Sequence, residues 1–369
     1  MSVQDLALQR NKYKHLSDEE WRWFLQQVEG HERTADKLPT FAAIEDWWYP
    51  VRLSCEQCSS ELTARYKASL VSGATMVDLT GGYGVDTYFL SERFAHTDYV
   101  EQNEELCRIA AHNFSLIDNR KSIIVHNSSA EAFLKTAGQY DLIFMDPARR
   151  DSHGGKVFRL ADCTPNVVEL LPTLLAHGKR LIIKLSPMLD LTQAVKELSQ
   201  VTWDVHIVAV KNEVKELLLV SGGTGQITAI DLAEPEKAFV YTKEQETNCP
   251  LAINPSPFAF IYEPNAAILK AGAYKLVAER FGLHKLDVNT HLYASDTLVE
   301  NFPGRIWRIQ SPITNHQLPI SQANVLTRNY PLTPEQLKKK YRLKDGGDSY
   351  LIGCRVNGKP TLYTAERIN

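Results

Sequence analysis

The sequence is poor in cysteine and has no long apolar run. Six cysteines in 369 residues do not make a disulfide framework, which excludes a small disulfide-stabilised fold. No stretch approaches the roughly 18 apolar residues that a membrane span requires. The N-terminus lacks a basic segment followed by an apolar stretch, so a signal peptide is not predicted. These absences predict a cytoplasmic protein that does not enter a membrane.

The cysteines also give little support for a metal site. Cys55 and Cys58 form a CxxC pair, but a zinc site needs a second pair and the other four cysteines are scattered singly. We therefore interpret the pair as two cysteines one turn apart on a helix. No metal is predicted, and nothing in the sequence specifies an oligomeric state.

Charge is present but unevenly distributed. The net charge is −3, with 44% hydrophobic and 23% charged residues, which is typical of a globular protein of two or three domains. Residues 301–369 hold 11 lysines and arginines against 4 acids, an excess of seven positive charges. This asymmetry indicates a polyanionic partner for the C-terminal part of the chain.

The clearest motif is a glycine-rich stretch that follows the short apolar run 75–77. It contains Gly81, Gly82 and Gly84, begins at Asp78, and precedes a predicted helix over 87–94. Strand, glycine-rich turn and helix form the first unit of a nucleotide-binding α/β sheet. Glycines let the backbone turn tightly and approach a ligand closely, because no Cβ intervenes.

Further apolar strands alternate with helical segments along the chain. The predicted strands are 97–100, 122–126, 140–145, 179–184, 205–210 and 216–220. Such alternation predicts a buried parallel sheet, with ligands bound at the carboxyl ends of its strands.

Two acids stand where such a ligand would bind. Glu101 follows the second strand, 23 residues after Asp78, where an acid can accept hydrogen bonds from both ribose hydroxyls. That position fits a dinucleotide or S-adenosylmethionine. The methyl donor is favoured because the turn begins with Asp78 in place of a full GxGxxG motif, and because Asp146 and Pro147 follow the fourth strand.

On these residues the chain resembles the class I S-adenosylmethionine-dependent methyltransferases over about 73–222. The resemblance implies a Rossmann-like α/β fold whose seven-stranded sheet has its last strand antiparallel. It implies S-adenosylmethionine as cofactor, with Ser128 and Ser129 near the adenine, where the family more often has an aspartate. The implied cofactor-binding residues are Asp78, Thr80, Gly81, Gly82, Gly84, Asp86, Glu101, Ser128 and Ser129.

The acceptor motif resembles that of amino-group methyltransferases in part. In those enzymes an acid and a prolyl carbonyl hold the amine and an aromatic ring stacks on the base, which implies catalytic roles for Asp146 and Pro147. Ala148 stands next to them, and Arg149 and Arg150 follow. An arginine can stack on a base or bind a phosphate, so both are predicted to bind substrate. The alternative is a solvated loop or an internal salt bridge.

A helix over about 54–70 is predicted from the Ser54–Gln57 capping pattern. It precedes the first strand directly, so it either folds over the nucleotide site or exposes a solvated face. A second capping box, from Ser17 to Glu20, predicts a helix near the N-terminus. With the glycine motif, the segment 59–68 is most similar to RNA guanine-N2 and cap-guanine methyltransferases.

The C-terminal third predicts a small α+β region. A hairpin is expected around 226–242, and a helix from Asn265 to about Phe281. Thr333 and Gln336 predict a capped helix that carries three basic residues, and an Asn357-Gly358 turn predicts another hairpin. The three basic residues are Lys338, Lys339 and Lys340.

A basic helix beside a small sheet resembles the THUMP-type RNA-binding modules of tRNA-modifying enzymes. The alternative for the lysines is a solvated helix face. The predicted domains are an N-terminal helical region (1–72), a methyltransferase domain (73–222), a ferredoxin-like domain (223–310) and a basic THUMP-like domain (311–369).

The leading hypothesis is a methyltransferase that acts on an exocyclic base amine in RNA. The alternatives are a methyltransferase for a small molecule or protein, and a non-catalytic nucleotide-sensing RNA-binding protein.

Overall fold

The computed structural model describes residues 3–117, 122–149, 160–253, 258–312, 318 and 320–368. The chain forms two compact units. The first comprises Met1–Trp203 with Leu217–Gly223, and the second Asp204–Glu216 with Thr224–Asn369. Within the described ranges, no helix is both long and apolar enough to cross a membrane.

The first unit begins with five helices. They are α1 (Val3–Ala7), α2 (Asp18–Thr34), α3 (Pro39–Ala42), α4 (Arg52–Gln57) and α5 (Glu61–Ser69). A short 3-10 helix over Arg10–Tyr13 precedes α2. The predicted capping box starts α2, because the Ser17 hydroxyl accepts from the Glu20 N–H and the Glu20 carboxylate accepts from the Ser17 N–H.

The single helix predicted over 54–70 is wrong. Cys58 ends α4 in an extended conformation, and the chain restarts at Ser60, whose hydroxyl accepts a hydrogen bond from the Thr63 N–H. The break at Cys58, Ser59 and Ser60 separates α4 from α5. Ser59 therefore lies in a connecting segment and not on a helix face.

All seven strands predicted between 73 and 222 form. The strands of this region are β1 (Gly73–Asp78), β2 (Phe94–Glu101), β3 (Ser122–Asn127), β4 (Tyr140–Met145), β5 (Ala148–Arg149), β6 (Cys163–Thr164), β7 (Gly178–Leu185), β8 (Trp203–Val210) and β9 (Glu213–Ser221). The first unit has the hydrogen-bonded order β9-β7-β4-β1-β2-β3. Strands β3, β2, β1, β4 and β7 pair in parallel, and β9 is antiparallel to β7, as predicted for the last strand. The short strands β5 and β6 pair separately.

Helices connect these strands. They are α6 (Val85–Ser91), α7 (Glu104–Ser115), α8 (Ala130–Leu134), α9 (Val167–His177) and α10 (Leu191–Glu197). A 3-10 helix over Leu160–Asp162 precedes β6. Asn103, Ser129, Asn166 and Asp190 cap α7 to α10 with side-chain oxygens. Capped helices and buried apolar strands bring the carboxyl ends of the parallel strands to one edge of the sheet.

The second unit starts with a small sheet region. Strand β8 pairs in parallel with β10 (Gln226–Asp231), and β10 pairs antiparallel with β11 (Phe239–Thr242). A 3-10 helix over Pro235–Lys237 connects β10 and β11, and α11 (Lys243–Asn248) follows. The predicted hairpin of β10 and β11 is therefore confirmed.

A seven-stranded sheet forms the rest of the second unit. Its strands are β12 (Phe260–Pro264), β13 (His284–Asp287), β14 (Thr290–Ser295), β15 (Gly304–Pro312), β16 (Asn324–Arg328), β17 (Ser349–Val356) and β18 (Lys359–Arg367). Their order is β13-β14-β12-β15-β18-β17-β16. Only β16 and β17 pair in parallel among these described strands. Strand β15 extends across the position 310/311 at which the sequence predicts a domain boundary.

Three helices belong to this sheet region. They are α12 (Ala266–Ala271), α13 (Tyr274–Phe281) and α14 (Pro334–Tyr341). The single helix predicted from Asn265 to Phe281 is wrong, because Gly272 ends α12 in the left-handed conformation. The capping box of Thr333 and Gln336 starts α14 as predicted. The Asn357-Gly358 turn joins β17 to β18, with φ values of 46° and 76° that suit a two-residue hairpin.

Candidate functional site

A cavity of about 300 Å³ lies at the carboxyl edge of the first unit's sheet. The residues that follow β1, β2, β3 and β4 line it, together with the segment between α4 and α5. All nine predicted cofactor-binding residues line this cavity, and so does Asp146. The strand order explains why these residues lie together. Strand β1 lies between β4 and β2, so successive strands are added on one side of β1 and then on the other, and ligands bind at such a switch point.

The glycine turn is held to both neighbouring strands. The Leu79 N–H donates to the Phe144 carbonyl at 3.0 Å, and the Gly81 N–H donates to the Val100 carbonyl at 2.9 Å. A Cβ on Gly81 would lie 2.1 Å from the ring of Tyr99, so only glycine fits there. The turn is therefore fixed in place before any ligand binds.

Asp78 lies beneath this turn and is buried. Its carboxylate accepts hydrogen bonds from the Thr80 N–H at 3.0 Å and from the Thr87 hydroxyl at 2.6 Å. Burial raises the pKa of the Asp78 carboxyl to about 7, although the two hydrogen bonds act in the opposite direction. Asp78 thus links the start of the turn to the helix that follows it.

Glu101 lies at the end of β2, beside the same turn. One carboxylate oxygen accepts from the Gly82 N–H at 2.9 Å, and the other accepts from the Asn103 N–H at 2.8 Å. Each carboxylate oxygen has two acceptor positions, so both can still accept a ligand hydroxyl. The geometry presents two oriented acceptors at the cavity wall.

Ser128 and Ser129 follow β3 and line the other side of the cavity. The Ser128 N–H donates to the Glu101 carbonyl at 3.0 Å. The Ser129 hydroxyl caps α8 by accepting from the Ala132 N–H at 3.2 Å. The two serines are therefore held by β2 and α8 next to the Glu101 carboxylate.

Asp146 follows β4 and faces the same cavity. Its N–H donates to the Thr80 hydroxyl at 2.6 Å, which joins the acceptor motif to the glycine turn. Its carboxylate lies 2.6 Å from the Lys184 ammonium, and its side chain is 38% exposed. Pro147 is buried, Ala148 lines the cavity, Arg149 belongs to β5, and Arg150 lies outside the described residues.

The predicted site residues Asp86 and Asp146 lie in one group with Ser59, Lys67 and Lys184, three residues that are not predicted from the sequence to belong to the site. We call it the buried ion cluster and define it as Ser59, Lys67, Asp86, Asp146 and Lys184. The Asp86 carboxylate accepts from the Ser59 hydroxyl at 2.7 Å and lies 3.1 Å from the Lys67 ammonium and 3.3 Å from the Lys184 ammonium. Lys67 has no exposed surface, although its place on a helix suggests a solvated side chain. The one signal in the sequence is Lys184, a lysine that follows the apolar run 181–183 near the carboxyl end of β7.

Asp86 was predicted to bind cofactor, and the structure pairs it within this cluster while it also lines the cavity. Burial disfavours its ionised form, yet Lys67 and Lys184 hold the pKa of the Asp86 carboxyl below its ordinary value. Asp86 is therefore an ionised anchor for the two lysines.

The predicted basic helix lies in the second unit. Lys338 forms an ion pair with Asp345 at 2.8 Å, and the Lys340 ammonium lies 5.2 Å from the ring centroid of Tyr341. Lys339 and Lys340 are exposed, whereas Leu337 of the same helix is buried. The helix thus packs through Leu337 and exposes positive charge.

The described residues contain no group of three or more His, Cys, Asp or Glu side chains that could hold a metal ion. The six cysteines are free thiols, and five of them are buried. Cys55 lies on α4, and Cys58 follows its last turn.

Comparisons with known proteins cover both units. Residues 260–303 match the family of ferredoxin-like domains, and residues 304–367 match that of THUMP-like domains. A crystal structure of a candidate methyltransferase from Porphyromonas gingivalis W83 is 33% identical, with a TM-score of 0.87 over 96% of this chain and 92% of its own. Two uncharacterized S-adenosylmethionine-dependent methyltransferases of Mycobacterium tuberculosis, from strains CDC 1551 / Oshkosh and ATCC 25618 / H37Rv, are each 21% identical over 356 residues. That similarity spans 90% of this chain and 92% of each relative.

Proposed function

The chain belongs to the S-adenosylmethionine-dependent methyltransferases with C-terminal ferredoxin-like and THUMP-like domains, and on this premise we propose that it methylates an exocyclic base amine in RNA. The observation that carries the proposal is the position of Asp146. Its carboxylate lines the same cavity as the glycine turn and Glu101, so acceptor and donor groups converge there.

The cavity residues fit the methyl donor. The glycine turn leaves backbone close to the cavity, and the Glu101 carboxylate keeps acceptor positions for both ribose hydroxyls. We assign Ser128 and Ser129 to the adenine side and the turn from Asp78 to Asp86 to the rest of the donor. When bound, S-adenosylmethionine supplies a methyl group on a sulfonium, a carrier that becomes neutral as the methyl leaves.

The acceptor end is formed by Asp146 and Pro147. The Asp146 carboxylate would accept a hydrogen bond from the amine, and the Pro147 carbonyl would accept a second, so that the nitrogen lone pair points at the methyl group. The protein contributes alignment and exclusion of water. We assign Arg149 and Arg150 to the base or its phosphate, where related amino-group enzymes have an aromatic ring.

RNA is favoured as acceptor by the second unit. It carries the THUMP-like match, and residues 301–369 have an excess of seven positive charges that a phosphate backbone would neutralise. We assign Lys338, Lys339 and Lys340 to this contact. We also propose that the enzyme works in the cytoplasm and that its domains divide near 72, 222 and 310.

The test is methyl transfer from labelled S-adenosylmethionine to total RNA, to protein and to small molecules. We expect label in RNA with the wild type and at least about 100-fold slower labelling with Asp146→Asn, which keeps the shape of the side chain. Asp348→Asn, at an exposed acid of the second unit, is the control and keeps full transfer. Label that enters only protein or small molecules would support the second hypothesis, and no transfer at all would support a non-catalytic binding protein.

A further inference from the structure

We infer that Lys184 is the positioning residue that aims the Asp146 carboxylate at the methyl acceptor; this rests on the proposed function. In the described part of the acceptor motif, no residue forms a hydrogen bond with that side chain. The motif fixes only the backbone, through the hydrogen bond from the Asp146 N–H to the Thr80 hydroxyl.

The contacts of Lys184 suit this role. Its ammonium lies 2.6 Å from an Asp146 carboxylate oxygen, 3.3 Å from an Asp86 carboxylate oxygen and 3.0 Å from the Ser59 hydroxyl oxygen. An ammonium has three N–H donors, and these three oxygens give each of them an acceptor. The direction of the ammonium is therefore set by groups other than Asp146.

Those other groups are themselves fixed. Asp86 lies in the first turn of α6, next to the glycine turn, and is buried, and its second carboxylate oxygen pairs with Lys67. Ser59 donates to Asp86 and accepts from both lysines, the Lys67 bond being 3.3 Å long. Because hydrogen bonds are stronger in such a buried setting, the contacts with Asp86 and Ser59 fix the position from which Lys184 pairs with Asp146.

The ion pair between Lys184 and Asp146 also gives the two Asp146 carboxylate oxygens different roles. One oxygen, Oδ2, binds Lys184, whereas no other described residue forms a hydrogen bond with Oδ1. The Asp146 side chain is 38% exposed, so a ligand in the cavity can reach it. Lys184 is largely buried and contacts Asp146 on the side away from the cavity opening. The arrangement leaves Oδ1 to accept an N–H of the acceptor amine.

The inference predicts a loss in kcat that depends on Asp146. Lys184→Met should lower kcat for RNA methylation about 100-fold, the usual effect of a small misplacement of a reacting group. The Kd for S-adenosylmethionine, measured by calorimetry, should change much less than kcat, because Lys67 still pairs with Asp86 on the donor side when Lys184 is replaced. Lys184→Arg keeps the charge and should recover most of the activity.

A double-mutant cycle separates positioning from a general structural role. If Lys184 acts through Asp146, adding Lys184→Met to Asp146→Asn should lower kcat by less than about threefold further. The matched control is Lys179→Met on the same strand, since Lys179 forms a 2.7 Å ion pair with Asp141 and its side chain is 74% exposed. The control should keep wild-type kcat.

Wild-type kcat in Lys184→Met, or a double variant whose loss equals the product of the two single losses, would overturn the inference. If Lys184→Met does not bind the donor, Lys184→Gln provides the same test, because it also removes the charge while its amide N–H can donate a hydrogen bond within the cluster. A wild type that transfers no methyl group to RNA would instead refute the proposed function.

Discussion

The buried Asp78 carboxyl should make the first unit less stable as the pH rises from about 4 to about 7. Burial raises its pKa from 3.8 to about 7 in the folded chain. The unfolded chain therefore loses this proton near its ordinary value, whereas the folded chain keeps it until near neutral pH. Because the folded state binds more protons in that window, its stability falls with rising pH and is level above the folded pKa.

The substitution Asp78→Asn isolates this effect. The amide oxygen can still accept from the Thr80 N–H, and the side chain carries no charge at any pH. One pH unit in this window is worth 1.36 kcal/mol, so between pH 4.5 and 7.5 the variant should gain about 3 kcal/mol of unfolding free energy relative to the wild type.

Urea unfolding followed by tryptophan fluorescence measures this difference. Five of the six tryptophans lie in the first unit, so their emission reports mainly on the unit that contains Asp78. Asp348→Asn, at an exposed acid, is the control and should keep the wild-type pH dependence. A free energy of unfolding that changes with pH by the same amount in Asp78→Asn and in the wild type would refute the reasoning.

Three further sets of substitutions test the glycine turn, the ribose site and the basic helix. Gly81→Ala places a methyl group against the Tyr99 ring and should lower the free energy of unfolding by about 1–3 kcal/mol, measured by thermal unfolding. Gly138→Ala is the control and should change this free energy little, because no atom lies within 4 Å of the added methyl group. Glu101→Ala should weaken donor binding at least 10-fold by calorimetry, since each charge-assisted hydrogen bond contributes about 1.5–3 kcal/mol; unchanged affinity would refute the ribose assignment. Alanine at lysines 338–340 should lower the slope of log K against log salt for RNA by about one per lost phosphate contact, and an unchanged slope would exclude the helix from RNA binding.

The glycine turn and the acids around it are local signals, which is why the sequence predicts them well. A short apolar strand, Gly81 to Gly84 and a helix start are contiguous, and Glu101 stands directly after the next strand. Parallel strands present their carboxyl ends at one edge, so predicting the strands also predicts that Asp146 approaches the turn. The antiparallel last strand follows from the resemblance to a known fold.

The buried ion cluster depends on distant segments, and its one local signal is Lys184 after the apolar run 181–183. Ser59, Asp86 and Lys184 come together only when three separate segments of the chain pack against one another. The identity of a lysine in the sequence also does not indicate whether its side chain is buried or exposed. The break between α4 and α5 was missed for a related reason. The capping pattern at Ser54 is plausible in isolation, but Ser54 lies inside α4, which begins at Arg52, whereas Ser60 caps α5 and Ser59 binds Asp86.

The measurement that tests the central claim most directly is the identity of the methylated nucleoside. Total RNA is incubated with the wild type and labelled S-adenosylmethionine, digested to nucleosides and separated by chromatography with mass detection. We predict that the label is found in a nucleoside methylated on a base amine and that Asp146→Asn lowers its amount at least about 100-fold. Label on a ribose hydroxyl or a ring carbon, or an undiminished amount of label with Asp146→Asn, would contradict the account.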